Sequence, residues 1–298
     1  MKTKTWRTAT LLLAFTMTAA TVALPTGAGA QSGESPPQEQ KSMSDVAKQL
    51  NNPVADLWAL NFQVNRYYLQ GEATDRTREQ DLMNFQPVLP IHLTSEWNLI
   101  TRPVFPYIFS SPDFEPGEGW DEKSGLGDIA LVSLLSPAKV TSGVIWGAGP
   151  TFIFPTAMND ALGQGKYQAG PAAVGLYMGK EWVFGTLAQQ WWSFAGDNDR
   201  ESTSQANIQY FIQYLFGDNW QIGMAPNILI DWKADQDNRF TVPVGLGIGK
   251  LVKIGPLPVK FTAEVDYMVV HPDEFGQHWG ARFQIIPVLP ALFKDTLF

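Results

Sequence analysis

The chain has 298 residues, no cysteine, and a formal charge of −8 from 21 Lys and Arg against 29 Asp and Glu. That balance argues against nucleic-acid binding, which needs a surplus of Lys and Arg for phosphate contacts, and the missing cysteines exclude a disulfide-stapled secreted domain. Beyond the N-terminus no apolar run reaches the roughly 18 residues of a helical membrane span, so a soluble enzyme and an envelope β-protein remain.

The N-terminus comes first in chain order. Lys2, Lys4 and Arg7 precede an apolar run from Leu11 to Leu24, and Ala28-Gly29-Ala30 supplies a small-x-small cleavage pattern. Residues 1–30 are therefore predicted to be a signal peptide. Residues 31–50 read as a disordered periplasmic linker, polar and Pro/Ser/Gln-rich up to Ser44, with one short helical turn over 45–50. Whether this segment enters the body that follows is left open by its composition.

From residue 51 to 298 the period is two. Twelve strands are predicted, over 57–69, 81–93, 96–108, 125–135, 140–154, 165–178, 181–194, 203–216, 219–232, 238–250, 256–270 and 277–290. Strands this long exceed the five or six residues usual in soluble sheets, and they suit the 9–11 residues of a tilted strand crossing a bilayer, about 30 Å of hydrocarbon. Through the first eight connections long and short alternate: 70–80, 109–124, 155–164 and 195–202 are long, whereas 94–95, 136–139, 179–180 and 217–218 are short. The last three are of similar length. Such alternation is the signature of an outer-membrane barrel.

The faces agree. In 256–270 Val259, Phe261, Val265 and Tyr267 alternate with Lys260, Thr262, Glu264 and Asp266. In 219–232 the apolar side begins at Trp220 and ends at Trp232. Trp58, Trp97, Trp182 and Trp220 start strands at matching ends and are predicted to form a periplasmic girdle. Trp192, Trp232, Tyr68, Tyr107 and Tyr267 would form the outer one. The fold class is an all-β transmembrane antiparallel barrel of about 12 strands, with lipid outside and a polar interior. Prolines resist this reading, because each removes a ladder donor. Pro87, Pro90, Pro103 and Pro106 crowd one hairpin and predict either a local kink or gap in the wall there or ordinary bulges.

Three stretches carry a family likeness: "NPVADLWALNFQVN" (52–65), "QPVLPIHLTSEWNLITRPVFPYI" (86–108) and "GLGDIALVSLLSP" (125–137). They resemble the phenol-degradation meta-pathway family of outer-membrane proteins, often labelled neuromedin U. The resemblance covers roughly 50–298. It implies import of aromatic or other hydrophobic compounds and supplies no binding residues. The terminal Phe298 is similar to the C-terminal aromatic that the outer-membrane assembly machinery reads, although Thr296 and Lys294 depart from the usual apolar alternation.

Catalytic chemistry is thin. A membrane-embedded hydrolase needs Ser, His and an orienting acid in hydrogen-bond reach. Only His92, His271 and His278 exist, with Ser202 or Ser204 as remote partners for His278. "GLGIGK" (245–250) lacks phosphate-loop spacing, and its glycines read as space on the inward face. The acidic stretch 111–128 lacks calcium-loop spacing. No enzyme activity, metal or cofactor is expected.

The inward positions are the candidate site. Arg102, Lys260, Glu264, Asp266 and Arg282 share the interior phase with Asn227, Asp231, Gln209 and Gln213. Gln86 and Asn84 do so too. Buried charges must be paired or hydrated. They form either a selectivity lining for solutes or an ionic network plugging a narrow barrel, and twelve strands lie between filled and open barrels. The expected function is a passive channel for small hydrophobic or aromatic solutes in the outer membrane of a Gram-negative bacterium, contacting membrane lipid and lipopolysaccharide. A structural or adhesive barrel with a blocked lumen is the alternative.

Overall fold

The computed structural model describes residues 42–115, 117–139 and 142–289. The expected signal peptide, residues 31–41 of the linker and Phe298 lie outside them.

Fourteen strand segments make twelve wall strands. They are β1 (Trp58–Gln70), β2 (Arg78–His92), β3 (Trp97–Glu115), β4 (Gly119–Leu126), β5 (Ile129–Pro137), β6 (Val144–Phe154) and β7 (Lys166–Met178). The second half holds β8 (Trp182–Gly196), β9 (Ser204–Phe216), β10 (Trp220–Met224), β11 (Asn227–Asp231), β12 (Phe240–Ile254), β13 (Leu257–Val270) and β14 (Gly276–Leu289). β4 and β5 are two parts of one wall strand beside β3, and β10 and β11 are two parts of another between β9 and β12. Every pairing is antiparallel, and β14 closes on β1 through registers such as Asn65↔Arg282. The result is a closed twelve-stranded antiparallel barrel with no free edge.

The sidedness of the residues is inside-out for a soluble protein. Leu246 is 65% exposed, whereas Lys260 is 4%, Glu264 3% and Asp266 2% exposed. Large apolar side chains cover the outer surface, as with Val265, Tyr267 and Val269 on β13, and a continuous apolar exterior of this kind needs lipid against it. Trp182 and Trp220 stand on this exterior at one end, and Trp192, Trp232, Tyr107 and Tyr267 at the other. Trp58 departs from the expected girdle. It is 9% exposed, covered at the point where the chain enters the wall.

Apart from the β3–β4 connection, which spans only 116–118, long and short connections alternate round the barrel. The last three, similar in sequence length, resolve because β12 runs to Ile254 and pairs with β13 through Ile254↔Leu257. Only Gly255-Pro256 is left as the turn, with Gly255 at φ +59, a conformation glycine takes at no steric cost. The connection expected as a loop over 109–124 is mostly strand. β3 and β4 continue as a hairpin through Phe114↔Trp120 and Glu115↔Gly119, beyond the outer girdle.

Two ladder faults follow the prolines. Between β2 and β3 the register stops at Phe85↔Phe105 and resumes at Leu89↔Thr101. That register sets Pro87 opposite Pro103, and neither residue has an N–H to offer. The second fault is the break between β10 and β11 at Ala225-Pro226.

The interior corrects the expectation of a uniformly polar lumen. On β3 and β5–β9 the inward residues include Ile100, Leu134, Val174, Val183, Leu187 and Phe211, all buried. These strands read as apolar on both faces because both faces are apolar-contacted, lipid on one side and core on the other. Into this half packs α1 (Met43–Gln49), started by Ser42, whose Oγ accepts from the Asp45 N–H at 3.2 Å. Val46, Ala47 and Val54 join the apolar cluster. α1 and the turns after it thus occupy the short-turn end of the lumen.

Candidate solute pathway in the lumen

The charged residues gather on one flank. β13 and β14 pair Glu264 with Arg282 directly, and both point inward. Arg282 Nη1 lies 3.6 Å from Glu264 Oε1, and Nη2 lies 3.5 Å from Asp266 Oδ2. The neighbouring β12 makes room. Gly245 stands opposite Asp266 and Gly247 opposite Glu264. A Cβ on Gly245 would come within 2.1 Å of Asp266 Oδ1. The "GLGIGK" glycines therefore admit two carboxylates against the wall. Lys260, two pleats below Glu264, donates through Nζ to Asn51 Oδ1 at 2.6 Å, and Asn51 Nδ2 donates to Gln221 Oε1 at 3.0 Å. The lysine so ties the segment after α1 to the barrel wall.

The same cluster holds the broken strand. Pro226 ends the run of β10 without an N–H, and Ala225 turns its peptide groups to the lumen. The Ala225 N–H donates to Glu264 Oε1 at 2.9 Å, and its carbonyl accepts from Arg282 Nη1 at 2.7 Å. Gln209 Nε2 also donates to the Ala225 carbonyl, at 3.2 Å, and Gln213 Nε2 to the Met224 carbonyl, at 3.1 Å. On the outer side Tyr210 Oη donates to the Pro243 carbonyl at 2.6 Å, bridging β9 to β12 across the break. Four expected lining residues, Glu264, Arg282, Gln209 and Gln213, thus satisfy backbone groups that the missing ladder would otherwise have satisfied.

Three cavities follow one another along the lumen. The outer one, about 330 Å³, is bordered by Ile108, Asp128, Leu162 and Gln205. Asp128 shapes it by accepting from the N–H groups of Ala157 at 3.1 Å and Gln164 at 2.7 Å, which pins the 155–165 loop over the wall. The middle one, about 160 Å³, shares Ala130 with the outer cavity. The inner one, about 110 Å³, lies against Leu50 and Asn51 and is bordered by Lys260. Arg102 and Gln209 border both middle and inner cavities, so they mark the passage between them.

The structure separates the candidates accordingly. Lys260, Glu264, Asp266, Arg282 and Gln213 are buried on the charged flank. Arg102, Gln209 and Asn227 border the middle cavity, with Gln86 and Asn84. Asp231 stands apart. It is exposed at the end of β11, where its Oδ1 accepts from the Lys233 N–H at 2.9 Å. Sequence reasoning missed Trp191, which is inward and 5% exposed; its Nε1 donates to Thr151 Oγ1 at 3.0 Å, which donates to Gln189 Oε1 at 3.0 Å. The signal was the pair Trp191-Trp192, since adjacent strand residues face opposite sides and only one of the two can join a girdle. It also missed Asn51.

The histidines form no triad. His271 and His278 stack at 3.7 Å between ring centroids. Ser202 Oγ instead accepts from Lys233 Nζ at 2.8 Å. His92 sits at the other end, 3.3 Å from Asp56 and 2.9 Å from Asn98. Among the described residues no hydrogen bond joins a histidine to a serine.

No family model and no curated protein matches the sequence. Solved structures do. An outer membrane channel from Pseudomonas putida F1 aligns with a TM-score of 0.57 at 14% identity, over 78% of this chain and 96% of that one. Outer membrane phospholipase A from Escherichia coli aligns with a TM-score of 0.41 at 10% identity, over 83% and 99%. A toluene transporter from Pseudomonas putida gives 0.36 at 10%, over 83% and 93%. The shared feature is the fold, that of the outer-membrane barrels of Gram-negative bacteria.

Proposed function

We propose that the chain is a passive outer-membrane channel for small hydrophobic or aromatic solutes, exported by residues 1–30 and acting without catalysis or cofactor. The observation that carries this reading is the series of three cavities through the lumen, apolar on one flank and polar on the other. Such a path wets the polar part of a solute while an apolar wall accepts the rest. The fold is shared with a channel. The likeness of residues 52–65, 86–108 and 125–137 to the phenol-degradation family points to aromatic cargo. The short turns face the periplasm, as in other barrels of this type; lipid and lipopolysaccharide contact the exterior, and Phe298 is offered to the assembly machinery.

The packing of α1 in the short-turn end supports a second reading, a structural barrel with a blocked lumen. Liposome uptake separates them. Refolded protein is expected to admit benzyl alcohol faster than protein-free liposomes do, with discrete conductance steps in planar bilayers. Well-folded protein that shows neither would leave only the blocked barrel.

A further inference from the structure

Arg102, Lys260, Arg282, Glu264 and Asp266 border the inner and middle lumen, and Asp128 borders the outer cavity. Glu264 and Asp266 share Arg282, and Lys260, further along the same strand, donates to Asn51. Arg102 stands on the other flank, on β3, with no carboxylate within ion-pair distance among the described residues. Its Nη2 donates to the Gln86 side-chain oxygen. Its Nε is buried without any hydrogen-bond partner. A guanidinium stays charged at any working pH, and Arg102, half-buried with an amide for a partner, lacks the counter-charge that a desolvated cation calls for. Arg102 is thus a cation with an amide for a partner and no carboxylate within ion-pair distance among the described residues, at the passage between two cavities.

The cavity beside it has a definite chemistry. Gln189, Asn207 and Asn227 border it, and so do Val132, Leu187 and Trp191. The Asn207 side-chain oxygen, on a residue that borders the cavity, is a second buried atom without a partner. The volume of about 160 Å³ is close to the roughly 150 Å³ of a protein cavity that takes up benzene.

We infer that the middle cavity is a binding site for a monocarboxylate whose apolar part is about one six-membered ring, with the carboxylate on the Arg102 guanidinium and the ring against Val132, Leu187 and Trp191. This inference rests on the channel reading and narrows it from apolar solutes in general to aromatic and alicyclic acids. The Arg102 guanidinium borders the cavity, and a carboxylate is the complement of such a cationic donor. Neutral solutes of the same shape lose the ionic hydrogen bonds, and ammonium solutes meet like charge.

Two measurements on the folded full-length protein, in carboxylate-free buffer, judge the inference. The first is calorimetric titration with benzoate, benzamide and benzylamine in detergent. Benzoate is expected to bind about tenfold or more tightly than benzamide, with benzylamine not detected. Arg102→Gln should remove that preference and Arg102→Lys keep part of it. This comparison of isosteres on the unmodified protein stands even if a variant misfolds. Equal binding of benzoate and benzamide, no binding of benzoate, or an unchanged preference in a folded Arg102→Gln protein would overturn the assignment. The second is liposome uptake of benzoate relative to benzyl alcohol, expected to favour benzoate and to lose that ratio in Arg102→Gln. Failure of both solutes to cross sinks the channel reading, whereas passage of benzyl alcohol with no benzoate preference sinks only the carboxylate site.

Discussion

Arg282 touches two carboxylates and one backbone carbonyl in a site where it is itself 5% exposed. Removing one member of a buried ionic group strands the others, at about 3–5 kcal/mol. Arg282→Met is therefore expected to lower unfolding stability by about that amount, while Glu264→Gln combined with Arg282→Met recovers part of it. Urea titration followed by heat-modifiable gel mobility checks this, and a double variant no better than the single one would show that charge is not the cause. Gly245 is the complementary case. Asp266 Oδ1 lies 2.1 Å from where its Cβ would be, and Asp266 is tethered to Arg282. Gly245→Val is expected to cost about 1–3 kcal/mol through overpacking, read in the same assay.

At the scale of elements, the prolines act in two ways. Opposed Pro87 and Pro103 delete ladder bonds without replacement, whereas Pro226 sits beside a peptide whose groups are taken up by Glu264 and Arg282. Hydrogen–deuterium exchange should separate them. Segments 86–88 and 102–104 are expected to exchange about tenfold faster than 244–250, which pair continuously with β13. Equal rates would mean that the β2–β3 fault is closed in solution. The hairpin of β3 and β4 carries a different device. Lys123 Nζ lies 2.8 Å from Glu115 and 3.0 Å from Asp121, and its hydrogen bond holds the Asp121 carboxyl below the usual carboxylate range. A lowered folded pKa gives order that is complete above the ordinary value and lost as pH falls through the lowered one. Protection of 119–123, corrected for intrinsic exchange, should therefore drop between neutral pH and about pH 3.

At the scale of the whole molecule the lumen is divided, and α1 with the turn after it occupies one end. Asn51 is a polar tether of this segment, accepting from Lys260 and donating to Gln221. Asn51→Ala is expected to raise mean single-channel conductance in planar bilayers by about twofold or more, since each lost hydrogen bond of this kind releases about 1–3 kcal/mol of anchoring. Conductance equal to that of the unmodified protein would mean that the apolar contacts of Val46, Ala47 and Val54 hold the segment by themselves.

The wall was legible in the chain because its causes are local. Alternation over 256–270 assigns Lys260, Glu264 and Asp266 to one face and Val265 and Tyr267 to the other before any strand has a partner, and connection length sets the two ends apart. Pairing across the lumen is not local. Nothing near Ala225 in the sequence announces that Glu264 and Arg282 take its peptide groups, because those residues reach it only once the sheet has curled and closed. The same closure leaves Arg102 without a carboxylate, brings Trp191 to the middle cavity and gives α1 an apolar wall to pack on. A strand's period decides which side a residue faces; the barrel's circumference decides what it meets there.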